Sequence, residues 1–147
     1  MPRPQRAFAF PRGLKPAIPT STASGLKPVA NFGTNPGNLT MQLYVPKDLP
    51  AGAPLVVVLH GCTQTAADYA EGAGWVTLAR RFGFALLCPE QTRTNNPNLC
   101  FNWFQPGDTA RGAGEAASIA AMVEHALSRH GLDPSRYSSP ACPPAGR

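Results

Sequence analysis

Charge is scarce in this chain, and acid is missing from one end of it. Only 14% of the 147 residues are charged, and residues 1–30 hold Arg3, Arg6, Arg12, Lys15 and Lys27 without a single carboxylate. The other eight basic residues are matched by eight acids, so the whole net charge of +5 sits in that leader. A nucleic-acid binder places its basic residues on a folded face, often with aromatics between them. Here they share a segment with six prolines, which reads as an extended linker rather than a basic face, and the same prolines oppose an amphipathic transit helix. Nucleic-acid contact through this leader is the minor alternative. No apolar run approaches the ~18 residues of a membrane helix, which excludes a spanning helix, and no apolar core of a secretory signal is visible. Cysteine is limited to four residues with no C-x-x-C, and no histidine pair accompanies them, so zinc ligation is a poor reading of Cys62 and Cys100.

Proline and glycine, by contrast, are plentiful at 17 and 14, but remain short of the ~25–30% of a low-complexity chain. Runs such as PLVVVLHG and FALLC make sense only when buried, which excludes disorder throughout. Residues 40–45 (TMQLYV) alternate like a half-buried strand that ends at Pro46, and residues 55–59 (LVVVL) read as a strand covered on both faces. Trp75, Leu78, Ala79 and Phe82 form one helical stripe with Gly83 at the stop. Residues 84–88 (FALLC) form a second buried strand stopped by Pro89. Ile119, Met122, Val123, Ala126 and Leu127 mark a helix closed by Gly131. Between these lies a long loop, residues 90–111, whose aromatics Phe101, Trp103 and Phe104 favour order. The order strand, strand, helix, strand, helix predicts an α/β fold with a mostly parallel sheet. Function in such sheets collects at the carboxyl ends of the strands.

A third parallel strand is due after Asp133-Pro134, but SRYSSPACPPAGR offers no buried strand. The expectation is therefore an incomplete fold in three parts. Residues 1–30 are an extension, 31–136 a partial domain, and 137–147 a tail outside it.

The strings NPGNLTMQLYVP, PLVVVLHGCTQTAADY, FALLCPEQ, NNPNLCFNWFQPGD and RGAGEAASIAAMVE carry a resemblance. In this order they are similar to the poly(3-hydroxybutyrate) depolymerase family of α/β-hydrolase esterases, which includes feruloyl and acetylxylan esterase-like members. The resemblance covers residues 31–136, the N-terminal part of that fold. It implies a cofactor-independent serine esterase with no metal, a polyhydroxyalkanoate or related ester as substrate, and an extracellular location. The absence of a visible signal leaves a cytoplasmic one open.

The next feature of that family is a strand followed by the nucleophile elbow G-x-S-x-G. No such string occurs in the 147 residues. Codons can be chosen for residues 137–146 whose bases, read from the third base of the Tyr137 codon, spell F-V-T-G-L-S-A-G-G. That is a β-branched strand running into an elbow, so a shifted frame near Arg136 is expected ahead of chance. On this fold the elbow serine comes first, then the acid and then the histidine in chain order, and none is present in the required context. The chain by itself is therefore expected to be inactive, with a noncatalytic polymer- or granule-binding role as the alternative.

What the resemblance leaves in place is the oxyanion loop after the first buried strand, with Gly61 and Cys62 at it and the Cys62 backbone N–H as donor. Its rival is that Gly61 merely ends the strand. His60 is read as a brace for that loop and not as the base, which comes last in the chain on this fold. The resemblance also implies a Cys62–Cys100 disulfide, against which stands a pair of free thiols; Cys88 is a core thiol and Cys142 belongs to the tail. Phe101, Trp103 and Phe104 either floor a substrate cleft or anchor the loop to the core. Asp108, Arg111 and Glu115 are expected to form a charge network at the start of the last helix.

Overall fold

Two buried strands organise the chain. In the computed structural model, which describes residues 25–138, β3 (Leu55–Val57) and β4 (Ala85–Glu90) lie side by side in parallel, Val56 opposite Leu86. The β4 side chains alternate between two faces. Ala85 and Leu87 join Met41, Leu43, Leu55 and Val57 in one cluster, while Leu86 and Cys88 join Val58, Ala66, Ala70, Val76 and Ala79 in another. Each wholly buried leucine contributes roughly 1.5–3 kcal/mol of apolar transfer.

Helix α4 (Gly114–His130) covers the first face with Met122 and Ala126, and Ile119, Val123 and Leu127 are packed at its margin. The second face is covered by α1 (Ala66–Gly72) and α2 (Trp75–Phe82). The result is a three-layer α/β arrangement of described residues. Gly83 and Gly131 stop α2 and α4 in the left-handed region, φ 71° and 60°, where a Cβ would be strained.

The sheet order is β1-β2-β4-β3-β5, with β1 spanning Lys27–Val29, β2 Thr40–Tyr44 and β5 Tyr137–Ser138. Several expectations need correction. The sheet is mixed rather than mostly parallel, because β2 runs antiparallel to both β1 and β4. No helix separates β2 from β3, so no crossover of the kind that makes strands parallel joins them. Strand β1 takes residues 27–29 out of the extension, and β5 places Tyr137 beside Leu55, parallel to β3, in the position of the third strand. Tyr137 stays 58% exposed, so that strand is at the surface. Residues 1–24 of the extension and 139–147 of the tail lie outside the described residues.

Strand β4 also passes through Pro89 instead of stopping there. Ala85 N–H donates to Pro54 O (3.0 Å) and Val58 N–H to Leu87 O (2.9 Å), so odd-numbered residues of β4 bond toward β3. Since β3 ends at Val57, the N–H that Pro89 lacks points where the ladder has already stopped. The apolar stripe of α2 is displaced too: Val76 and Ala79 are buried, whereas Phe82 is 67% exposed beneath the Arg81 guanidinium. Helix α1 and the one-turn α3 (Pro106–Thr109), inside the long loop, carry no periodic signal because each is too short for one.

One close approach fixes how α4 sits. The Gly37 N–H donates to the buried Ser118 Oγ at 2.8 Å, and a Cβ at Gly37 would lie 2.6 Å from Glu115 Cα and 2.7 Å from its nitrogen. Backbone cannot yield as a flexible side chain can. Gly37→Ala is expected to lower stability by about 1–3 kcal/mol in urea unfolding. Gly72→Ala, with nothing within 4 Å, serves as the neutral control.

Candidate functional site

Beyond β3 and β4 the two chains are tied by a side chain. His60, 4% exposed, accepts the Gln91 backbone N–H at Nε2 (3.0 Å), so its proton sits on Nδ1, which donates to Gly61 O at 2.8 Å. Both ring nitrogens are thereby used, and Phe101 packs against the ring with centroids 4.9 Å apart. The bracing reading of His60 matches this geometry; a proton-accepting role does not.

The carbonyl that His60 holds belongs to the same planar peptide as the Cys62 N–H. Fixing one end of the plane aims the other. Around it, Gly61 N–H donates to Gln64 Oε1 (2.8 Å), Thr63 N–H to Asn98 O (2.7 Å) and Gln64 N–H to Gly61 O (3.3 Å). The Cys62 N–H has no acceptor among the described residues. Thr63 adopts φ 65°, a rare conformation for a β-branched residue, held by its N–H bond to Asn98 and its hydroxyl bond to Cys62 O. The loop thus presents one free, fixed donor at the carboxyl end of β3.

Gln91 is the hub that sequence reasoning missed. It is 3% exposed; its Nε2 donates to Cys100 O (3.0 Å) and to Glu115 Oε1, and its Oε1 accepts from Thr92 N–H (3.0 Å) and Asn95 Nδ2 (2.8 Å). Glu115, 5% exposed, accepts the Asn102 N–H at Oε2 (2.9 Å). A glutamine directly after a buried strand was the available signal. The expected Asp108–Arg111–Glu115 network is only partly made. Asp108 Oδ1 accepts the Glu115 N–H (3.3 Å) at the α4 N-terminus, and Arg111 is exposed and takes no part. Burial raises the Glu115 carboxyl above its usual 4.5, opposed by the hydrogen bonds from Gln91 and Asn102.

Cys62 and Cys100 are joined as a disulfide, S–S 2.09 Å, across 38 residues of chain. The bridge fastens the loop of residues 61–64 to the long loop. Burial, reinforced by the Glu90 carboxylate, pushes the Cys88 thiol up to about 12, which makes it inert. The three aromatics separate: Phe101 packs on His60 and the core, whereas Trp103 and Phe104 are 78% and 54% exposed. No group of three or more His, Cys, Asp or Glu is placed to hold a metal ion among the described residues. Nor is any described helix long and apolar enough to cross a membrane.

Comparison with known proteins places this geometry. The profile of the family described as Esterase PHB depolymerase matches residues 39–145. The chain is 50% identical over 132 residues to poly(3-hydroxyalkanoate) depolymerase C of Paucimonas lemoignei, covering 90% of this chain and 32% of that protein. It is 36% identical over 124 residues to feruloyl esterase B of Talaromyces stipitatus, covering 81% and 33%. Among solved structures, an acetyl xylan esterase from Aspergillus awamori superposes with a TM-score of 0.71 at 32% identity, over 78% of this chain and 41% of that one. A poly(3-hydroxybutyrate) depolymerase from Bordetella parapertussis shares the fold, TM-score 0.60 at 20% identity, over 78% and 42%. The chain belongs to the PHB depolymerase esterase family, with an α/β-hydrolase fold. It spans about a third of the length of these curated relatives.

Two outcomes follow from the ties around the loop. Replacing both Cys62 and Cys100 by serine is expected to lower unfolding free energy by about 2–4 kcal/mol, read from urea midpoints against the oxidised parent. For Glu115, a folded-state value above the unfolded one means the folded protein binds the proton more tightly. Stability contributed by that proton is full below about pH 4.5 and is lost as pH rises toward the raised value, then stays level. Glu115→Ala should abolish this component of the pH–stability curve and cost about 1–3 kcal/mol for the donors it strands.

Proposed function

We propose that this chain carries the oxyanion-loop portion of a serine carboxylesterase of the polyhydroxyalkanoate depolymerase type, with the Cys62 N–H as one oxyanion donor. The observation that supports this most directly is the loop's hydrogen-bond pattern. Every other N–H from Gly61 to Gln64 is engaged, and His60 holds the peptide that presents the free one. A Cβ at Gly61 would meet Gln64 Oε1 at 2.9 Å and dislodge the acceptor of the Gly61 N–H, so the loop's bonding depends on the glycine.

In the intact reaction an elbow serine attacks the ester carbonyl and its proton passes to a histidine. The carbonyl oxygen becomes an oxyanion held by the Cys62 N–H and by the N–H after the nucleophile. Collapse expels the alcohol with that proton and leaves an acyl-serine, and water then releases the hydroxy acid. The 147 residues contain no G-x-S-x-G, so this chain alone is expected to leave p-nitrophenyl butyrate intact. The disulfide favours an oxidising, extracellular compartment.

The test is a chimera in which residues 31–136 replace the matching segment of the Paucimonas lemoignei depolymerase. Hydrolysis of p-nitrophenyl butyrate is expected. Cys62→Ser in it, which loses the disulfide and keeps the N–H, should retain most of kcat. Cys62→Pro, which loses both, should fall a further ~10²–10³-fold, the effect of one oxyanion donor. Equal rates for the two variants at matched melting temperature would remove Cys62 from the role.

A further inference from the structure

The edge of the sheet farthest from β5 carries charges that the fold leaves without partners. Lys27 of β1, Lys47 just past β2 and Arg80 of α2 border one cleft of about 570 Å³, together with Gly25, Tyr44 and Asp48. All three cations are exposed, and none is in an ion pair among the described residues. Residues 1–24, which precede the cleft, bring nothing to neutralise it: they hold Arg3, Arg6, Arg12 and Lys15 and no acid. The described chain leaves the sheet at β5, on the opposite edge, and consecutive elements tend to pack as neighbours. The walls of the cleft are β1, β2 and α2 themselves.

Two contacts arrange its donors. Gly25 crosses the Tyr44 ring at φ 71°, so closely that a Cβ would stand 2.8 Å from Tyr44 Cε2. Tyr44 Oη accepts the Arg80 Nε–H at 3.4 Å, which leaves the two terminal amino groups of the guanidinium without a partner among the described residues. It also leaves the phenolic proton free to donate. An arginine fork, a phenolic O–H and two ammonium groups around one space are the donors that phosphoryl oxygens call for. Three cations against the single carboxylate of Asp48 leave a net charge of +2. That matches the roughly −1.5 to −2 of a phosphate monoester near pH 7 and exceeds what one carboxylate needs. A concave space of this size suits a small molecule, whereas a flat bilayer would meet only its rim.

We propose that this cleft is a binding site for a small phosphorylated molecule, with Arg80, Lys27, Lys47 and the Tyr44 hydroxyl as its donors. Tyr44 stands opposite Leu86 near the start of β4, while the loop of residues 61–64 lies past the other end of the β3–β4 pair. The site is therefore separate from the one read as an ester hydrolase's and does not rest on that reading.

Inorganic pyrophosphate is the probe, titrated into the isotope-labelled 147-residue chain at constant ionic strength and followed by amide chemical shifts. Saturable shifts are expected at Lys27, Tyr44, Lys47 and Arg80, and none with sodium acetate. The Lys27→Gln/Arg80→Gln double variant is expected to bind at least about tenfold more weakly. Its charged groups are exposed, so an unchanged circular dichroism spectrum checks the fold. Arg129→Gln, an exposed cation in the last turn of α4, should bind as the parent does. Replacing Arg3, Arg6, Arg12 and Lys15 by glutamine should also leave binding unchanged. Phosphatidylglycerol vesicles added to the complex distinguish a lipid headgroup from a soluble phosphate, and are expected not to displace the pyrophosphate. No saturable shifts, equal shifts with acetate, equal affinity in the double variant, loss of binding without the leader's cations, or displacement by the vesicles would each overturn the proposal.

Discussion

The hydrogen bond from the Gln91 N–H to His60 Nε2 is the constraint on which the rest of the site depends. Strands β3 and β4 have exhausted their backbone pairing by Val58 and Leu87, and Pro89 removes the next donor. An imidazole then takes the place of a carbonyl and keeps the two chains in register for one more step. Accepting at Nε2 commits the ring to a proton on Nδ1, and that proton commits the Gly61 carbonyl. Peptide planarity carries the commitment on to the Cys62 N–H. A main-chain ladder is thus converted into a directed donor by one side chain. Any acceptor lost at Nε2 would leave the Gln91 N–H buried and unpaired, at a cost of about 1–3 kcal/mol.

The other end of Gln91 explains why a carboxylate is tolerated in the interior. Isolated, the Glu115 charge would be strongly disfavoured; here one oxygen takes the Gln91 amide and the other the Asn102 backbone N–H. Ser118, one turn further along α4, takes the Gly37 N–H. Helix α4 therefore contributes to the site through polar atoms on the same face that supplies Met122 to the core. Its hydrophobic contacts set where the helix lies, and its buried polar contacts set where the long loop lies upon it. The disulfide adds a third tie, between the two loops themselves.

Much of this was legible, and the parts that were not have a common cause. Residues 55–59 and 84–88 read as buried strands because both faces are apolar, and Gly83 and Gly131 read as stops because only glycine sits easily at φ near +60° to +70°. Met122 and Ala126 were recognisable as a core stripe over four turns. Phe82 was not separable from Trp75 and Ala79, since a two-turn helix has too few positions to show which side meets the sheet. Strand β1 lay in a proline-rich, half-exposed segment whose order comes from pairing with β2 and not from local pattern. Gln91 and Gln64 escaped for a different reason. A glutamine's function here is a hydrogen-bond partner 24 to 31 residues distant or a nearby backbone N–H, and neither leaves a periodic trace. The HGCTQ and LCFNWF strings located the site through resemblance, while its working parts became visible only as bonds.

Those bonds are also confined to one stretch of the chain. Each contact that aims the Cys62 N–H comes from residues 60–115: His60, Gln64, Gln91, Asn98, Cys100 and, through Gln91, Glu115. None of them requires the nucleophile elbow. The donor can be pre-set before any serine is near it, which is the condition for electrostatic stabilisation without reorganisation during the reaction. Under the proposed oxyanion role, a serine without this loop would attack a carbonyl whose developing charge lacks this fixed partner. The loop without a serine still has a rigid donor, tied by a disulfide to the long loop. On that reading, holding the oxyanion and attacking the ester are properties of different stretches of sequence, and the residues that aim the Cys62 N–H all lie between 60 and 115.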